Sequence, residues 1–213
     1  MKMYVMTIED HEQSNRYAER CIESAKKFGH TVEKWKAVTP KHEPFSLLKQ
    51  EGISPLGFEE EYSRLENCIS AFLSHYSLWK KCIELNENIL VLEHDAYFND
   101  AVPDVPFQDI CNFGQPSYGK FITPSNLGLN PLTSKRYLPG AHAYGVTPNG
   151  SNLLVQQSKL HARPTDLFIR LETFTRIQEY YPWPVEARDA FSTIQNERGC
   201  LAKHRYNEDY KIL

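Results

Sequence analysis

The chain has 213 residues and carries 24 Lys and Arg against 27 Asp and Glu, a net charge of −3. That length suits one α/β domain spanning 1–213. The near-balanced charge provides no electrostatic footprint for nucleic acid or for a charged membrane surface. Five cysteines (Cys21, Cys68, Cys82, Cys111 and Cys200) form no CxxC pair, as expected of reduced thiols. The opening "MKMYVMTIED" reaches acidic residues by position 9, so no secretory h-region is expected, and no apolar run is long enough to span a bilayer. The expected location is cytoplasmic, with peripheral membrane contact left open.

In chain order, "YVMTI" (4–8) reads as a buried strand. Tyr17, Cys21, Ala25 and Phe28 then recur at helical steps, and Gly29 closes that helix. "TVEKWKAV" (31–38) alternates as a second strand. A strand–helix–strand opening favours a parallel, three-layer sheet. Residues 39–63, with three prolines and two glycines, read as an irregular connection holding one helical turn near 45–50. The strongest helix signal is "RLENCISAFLSHYSLWKKCIELNE", with Leu65, Cys68, Ile69, Phe72, Tyr76, Trp79 and Ile83 on one face. "ILVL" (89–92) is fully apolar, as a central strand covered on both faces should be. Residues 99–118 read as loop. "GKFIT" (119–123) and "AHAYGVT" (141–147) read as strands, "SNLLVQQSKL" and "DLFIRLETFTRIQEYY" as helices, and "YPWP" stops the second of these.

The chemistry gathers where "NILVLEHDAYF" leaves its apolar run. Ligands of open α/β sheets sit outside the carboxyl ends of the strands. Residues two apart on an extended chain share a face, so Glu93 and Asp95 are expected to converge on one target and His94 to point the other way or lie at the rim. Hard carboxylate oxygens suit Mg²⁺ or Mn²⁺, which bridge carboxylates to substrate phosphates. An acidic turn in solvent is the alternative reading of the same residues.

The helix and the strand after it resemble glycosyltransferase family 25, which includes lipooligosaccharide and collagen galactosyltransferases. Glu66, Cys68, Ser74, His75 and Trp79 carry the family's helix pattern "E-x-G-C-x-x-S-H-x-x-x-W", and Leu92, Glu93, Asp95 and Ala96 its strand pattern "L-E-D-D-A". "YVMTIEDHEQSNRYAE", "VEKWKAVTP", "GAHAYGVTPNGSNLL" and "RPTDLFI" are similar to further blocks in the same order, over about residues 3–195. Two departures are His94, where the family has Asp, and Asn67, where it has Gly.

The resemblance implies a GT-A type α/β/α sandwich with a mostly parallel sheet. It also implies an inverting, metal-assisted transfer from a nucleotide sugar, a UDP-hexose, to an acceptor hydroxyl on a glycan or lipooligosaccharide. Asp95 is then the first candidate for holding Mn²⁺ or Mg²⁺, with Glu93 second and His204 closing from the tail. Asp166 is the candidate base or acceptor contact, against a plain helix N-cap, and Asp189 is the reserve. Nucleotide-sugar contacts fall on Thr7, Glu9 and Arg16 at the first strand's exit and on Arg64, Glu66, Ser74 and His75 around the long helix. Glu93, His94, His142 and Tyr144 complete the set. Core packing is the alternative for His75, His142 and Tyr144, and a surface position for Arg16. Two other readings of the resemblance are an acceptor that is a hydroxymethylated DNA base, and a homologue that binds nucleotide sugar without turnover.

Overall fold

The structure is a computed structural model that describes residues 1–58, 63–188, 191–196 and, by backbone alone, 211–212. It is a mixed α/β fold around a seven-stranded sheet. β1 (Lys2–Thr7) leads through α1 (Glu12–Lys26) to β2 (Val32–Lys36), and the two strands pair in parallel. α1 ends as the sequence predicts. Gly29 lies at φ 77°, and the His30 N–H reaches back to the Ala25 carbonyl at 3.2 Å while the Gly29 N–H reaches Lys26 at 3.1 Å. This pair of bonds is a Schellman closure, which satisfies the last carbonyls of the helix.

A short 3₁₀ turn at Pro40–His42 precedes α2 (Pro44–Glu51), and a second at Pro55–Gly57 follows it. The long α3 (Leu65–Leu85) delivers the chain to β3 (Ile89–Leu92), which pairs in parallel with β1. β4 (Ala96–Phe98) leaves the main sheet, and β5 (Ile110–Asn112), β6 (Gly128–Pro131) and β7 (Ala143–Val146) return to it. α4 (Pro148–His161) and the one-turn α5 (Thr165–Phe168) come next. β8 (Ile177–Tyr181) rejoins the sheet, β9 (Val185–Ala187) pairs with β4, and β10 (Phe191–Ser192) pairs with β11 (Lys211–Ile212).

The strand order is β2-β1-β3-β7-β5-β8-β6. β7 is antiparallel to β3 and β5, and β6 is antiparallel to β8, so the other five strands share one direction. The sheet is therefore mostly parallel. Alternation along the central strands separates two cores. Tyr4, Met6, Ile89 and Val91 face α2, α3 and α4, together with Leu48, Phe72, Trp79 and Leu154. Met3, Val5, Leu90 and Leu92 face α1, together with Ala18 and Cys21. Burial of each such large side chain contributes about 1.5–3 kcal/mol. This is the α/β/α layering expected of a GT-A-like fold.

Three local expectations are corrected. "GKFIT" is not a strand. Gly119 turns at φ 68°, Ile122 is 68% exposed, and the strand of that region is β6. The helix expected over 166–181 stops at Phe168. There the chain folds back on residues 136–138 through Leu138 N–H to Ile169 O (3.2 Å) and Leu171 N–H to Arg136 O (2.8 Å), and Ile177–Tyr181 joins the sheet. The loop expected over 99–118 contains β5, buried at every residue.

One close approach sets the rim of the functional cleft. A side chain at Gly57 would place its Cβ 1.9 Å from the Ala162 carbonyl, so only glycine lets the 55–57 turn rest on the loop between α4 and α5.

Candidate functional site

The carboxyl ends of β1, β2 and β3 open onto two adjoining cavities. The larger, about 590 Å³, is lined by Cys68, Ala71, His75, Glu93, Asp95, Tyr118, His142, Arg163 and Asp166, among others. The smaller, about 80 Å³, lies against Met6, Ile8, Ala37, Val38, Asn67 and Ser74. Ala71, His75, Glu93, His94, Thr193 and Ile194 line both and form their common wall. Cys68, Ala71 and His75 reach the larger cavity because steps of three and four keep them on one face of α3.

Glu93–Asp95 does not continue the pleat of β3. The Ala96 N–H closes a tight turn onto the Glu93 carbonyl at 3.1 Å. The convergence expected from extended alternation is thus replaced by a turn, which brings Glu93, His94 and Asp95 all to the larger cavity. The turn is tied at several points. The Glu93 N–H donates to the His142 carbonyl at 3.0 Å, and the Asp95 carbonyl accepts from the Arg188 N–H at 2.9 Å and from the Arg20 guanidinium at 3.4 Å. His94, which stands at the family's Asp, stacks on Phe191 with ring centroids 5.3 Å apart and 5° between planes. His11 stacks on the same phenyl ring at 5.7 Å. Burial, followed by His11 and Arg20, lowers the His94 pKa to about 4.

Glu93 is held by a polar chain that starts in the core. The Trp79 indole N–H donates to the Tyr144 hydroxyl at 2.8 Å, that hydroxyl contacts His75 Nδ1 at 2.9 Å, and His75 Nε2 contacts Glu93 Oε1 at 3.1 Å. An indole nitrogen can only donate. The Glu93 carboxylate can only accept, so Nε2 donates to it and Nδ1 accepts the Tyr144 O–H, whose oxygen in turn accepts the indole N–H. The imidazole is left with its proton on Nε2, pointing at the carboxylate. The opposite tautomer would set a lone pair against Oε1. Burial lowers the His75 pKa to about 3, so the imidazole is neutral in this chain. Trp79 and Tyr144 are fully buried and His75 is 1% exposed.

Across the larger cavity, Asp166 accepts the Tyr118 hydroxyl at 2.6 Å and the Leu167 N–H at 2.9 Å. Burial raises its pKa, against the lowering effect of those bonds and of His75. Pro164, not Asp166, is the N-cap of α5, so the capping alternative is excluded. His142 precedes β7. Its ring sits between Gly114, where a Cβ would come within 2.5 Å of Nε2, and Gly140. Burial lowers its pKa to about 4. Tyr144 lies in the core against His75, and His142, two residues before it, lines the larger cavity.

The remaining sequence candidates take other places. Ser74 lines the smaller cavity, accepts the Val38 N–H at 2.8 Å and donates to Ser70 O at 2.8 Å. Arg64 braces the segment 191–196, its N–H to Ile194 O at 2.8 Å and its guanidinium to Ser192 O at 3.3 Å. Thr7 ends β1 and is 3% exposed, Glu9 pairs with Lys36 at 2.7 Å, and Arg16 and Glu66 are exposed; none of the four lines either cavity. Asp189 and His204 lie outside the described residues. Among the described residues, no three His, Cys, Asp or Glu side chains gather as a metal site, and no helix is long and apolar enough to cross a membrane. Tyr118, Arg163 and Thr165 were missed from the sequence. Each sits in a loop, or in a single helical turn, where no periodicity marks it.

The two buried histidines make acid sensitivity a property of the fold. His75 and His142 take up protons in the unfolded chain below about 6.5 but hold none in the folded chain until about 3 and about 4. Their contribution is complete above the unfolded value and is lost as pH falls through that window, at up to about 1.4 kcal/mol per pH unit for each proton taken up. With chelator present, the urea midpoint is expected to be clearly lower at pH 5 than at pH 7. Equal midpoints would contradict the buried, neutral assignment of these rings.

The two cavities lie at the exits of the leading strands, where ligands of open α/β sheets bind. The family model described as "Glycosyltransferase family 25 (LPS biosynthesis protein)" matches residues 1–109, just over half the chain. The chain belongs to that family and is, by membership, a glycosyltransferase. The matched segment holds α3, β3 and the Glu93–Asp95 turn, whereas Tyr118, His142 and Asp166 lie beyond it. No curated protein matches the chain.

Proposed function

We propose that this chain transfers a hexose from a UDP-sugar to a hydroxyl of a glycan or lipooligosaccharide acceptor, with inversion at the transferred carbon and with Mn²⁺ or Mg²⁺. The observation that carries the reading is the shared wall of the two cavities, built from His75, Glu93 and His94 at the end of β3. The smaller cavity is lined largely by apolar side chains, as suits a nucleobase. The larger has room for the sugar and the acceptor. The donor's diphosphate then crosses the wall between them.

Glu93 and Asp95 are the residues that would hold the metal. Such an ion is commonly held by one or two carboxylates plus substrate phosphates, so this pair fits it without a third protein ligand. The ion, when bound, supplies positive charge to a diphosphate leaving group. The protein's own residues do the rest. His75 aims Glu93 into the wall, and Arg20 and Arg188 fix the turn that presents Asp95. Asp166 takes the proton of the acceptor hydroxyl from the far side of the cavity, with Tyr118 orienting its carboxylate.

The test is a thermal-shift panel of nucleotide sugars, each with Mn²⁺ and with chelator. A ligand at 100 times its Kd stabilises the native state by about 2.7 kcal/mol. One donor is expected to give a metal-dependent shift, and Asp95→Ala to lose the metal-dependent part while keeping its unliganded melting temperature. Absence of a shift with every donor would remove the nucleotide-sugar reading. Retained metal dependence in Asp95→Ala would remove Asp95 from the metal.

A further inference from the structure

Arg163 is the only lysine or arginine among the described residues lining the larger cavity. Among the described residues it forms no ion pair, and its buried Nε has no hydrogen-bond partner there. Two residues on, Thr165 is 8% exposed and also lines the cavity, and its Oγ1 is likewise unpartnered. Each buried polar atom left without a partner costs roughly 1–3 kcal/mol, a cost that a ligand reaching both groups would remove. The loop is held from behind by the contact of Gly57 with Ala162, which leaves Arg163 and Thr165 fixed at the rim. The guanidinium charge is felt locally: after burial, Arg163 and Arg170 lower the pKa of His161. A guanidinium beside a hydroxyl donor is the chemistry that binds a phosphate or a carboxylate.

Position decides which anion. Arg163 and Thr165 line the larger cavity and not the smaller one, into which a donor nucleotide would reach. They sit beside Asp166, which accepts the Tyr118 hydroxyl, on the side left for the acceptor. We infer that the acceptor is an anionic sugar whose phosphate or carboxylate is bound by the Arg163 guanidinium and the Thr165 hydroxyl, which places a neighbouring hydroxyl at Asp166. The inference rests on the transferase reading for the meaning of the two cavities. The binding preference itself can be measured without it.

The experiment is an NMR titration of the full chain with glucose, glucose 6-phosphate, glucuronate, inorganic phosphate and UDP. Wild type, Arg163→Gln and Thr165→Val are compared. One charge-assisted contact corresponds to about tenfold or more in affinity. Wild type is therefore expected to bind at least one charged sugar about tenfold tighter than glucose, with the better of the two naming phosphate or carboxylate. Arg163→Gln is expected to abolish that gap, Thr165→Val to narrow it, and neither to change UDP binding. Equal binding of glucose and both charged sugars to wild type would overturn the inference. So would inorganic phosphate binding as tightly as glucose 6-phosphate, which would mean an ion site only. A loss of UDP affinity in Arg163→Gln matching its loss of charged-sugar affinity would move Arg163 to the donor and overturn it as well. Should Arg163→Gln fail to fold, Thr165→Val and the salt dependence of the wild-type preference decide. Failure of UDP to bind wild type would sink the transferase reading separately, with the charged-sugar comparison still read.

Discussion

Asp166→Asn is expected to lower kcat by about 10²–10⁴-fold, the range for removing a positioned general base, while leaving the protein at least as stable at neutral pH. The two halves have one cause. Asp166 is half-buried at the cavity wall, and burial raises its pKa above the ordinary carboxylate value despite the hydrogen bonds from Tyr118 and Leu167. A raised pKa makes a carboxylate a better base. It also means that the folded state holds the proton to a higher pH than the unfolded chain does. Stability therefore falls as pH rises through that window, and at neutral pH the ionised side chain is a net cost. An asparagine of the same shape relieves that cost and cannot take a proton, which is the usual trade of stability against activity at such sites. In wild type, kcat/KM should fall as pH drops through the raised value, and the variant's residual activity should lack that limb. The profile is measured with the donor found in the thermal-shift panel. Activity within about threefold of wild type would take Asp166 out of the proton transfer, since a base contributes far more than that.

What could be read from the sequence, and what could not, divides along range of interaction. β3 and α3 were legible because a four-residue apolar run and a helical stripe are local signals, and the structure returns them at Ile89–Leu92 and Leu65–Leu85. The turn after β3 was not. Pleat alternation holds only while the ladder lasts, and β3 is paired with β1 and β7 only as far as Leu92. Beyond it the Glu93 carbonyl bonds Ala96 instead. β8 was hidden for a related reason. Glu179 reads as a solvent-facing helical residue, yet it is fully buried, and its Oε1 accepts the backbone N–H groups of Thr133 and Ser134 at 2.6 and 2.8 Å. Donors 45 and 46 residues away leave no mark on local spacing. Asp166 and Tyr118 meet across 48 residues in the same way. His75 and Tyr144 were both named, but their pairing was not. Only the fold brings Tyr144 against His75.

That partnership yields the second large effect. Tyr144→Phe is expected to cost roughly 2–6 kcal/mol of stability, because it strands two buried groups at about 1–3 kcal/mol each, the Trp79 N–H and His75 Nδ1. The change removes one oxygen and leaves no cavity worth a methyl group, so lost packing cannot account for a loss of that size. The measurement is a urea-denaturation series on wild type, Tyr144→Phe, Trp79→Phe and the double variant. Trp79→Phe carries a cavity cost of its own, but in the double variant the indole donor is gone and only His75 Nδ1 remains unpaired. The double variant should therefore cost less than the sum of the singles, by an amount that reports the Trp79–Tyr144 bond. The site should register the same change. Glu93 keeps the imidazole proton on Nε2 with or without Tyr144, but only with Tyr144 is Nδ1 hydrogen-bonded and the ring held. Nitrogen chemical shifts of His75 should show the Nε2–H tautomer in both proteins, with the Nδ1 signal moved in Tyr144→Phe by the loss of its hydrogen bond. Wild-type stability in Tyr144→Phe together with an unmoved Nδ1 signal would show that the chain from Trp79 to Glu93 fixes nothing. A moved Nδ1 signal with weaker donor binding would mean instead that a buried tyrosine in β7 sets the aim of a carboxylate at the end of β3. The family's His and Trp positions on α3 would then be spaced to meet that hydroxyl, one turn apart on the same face.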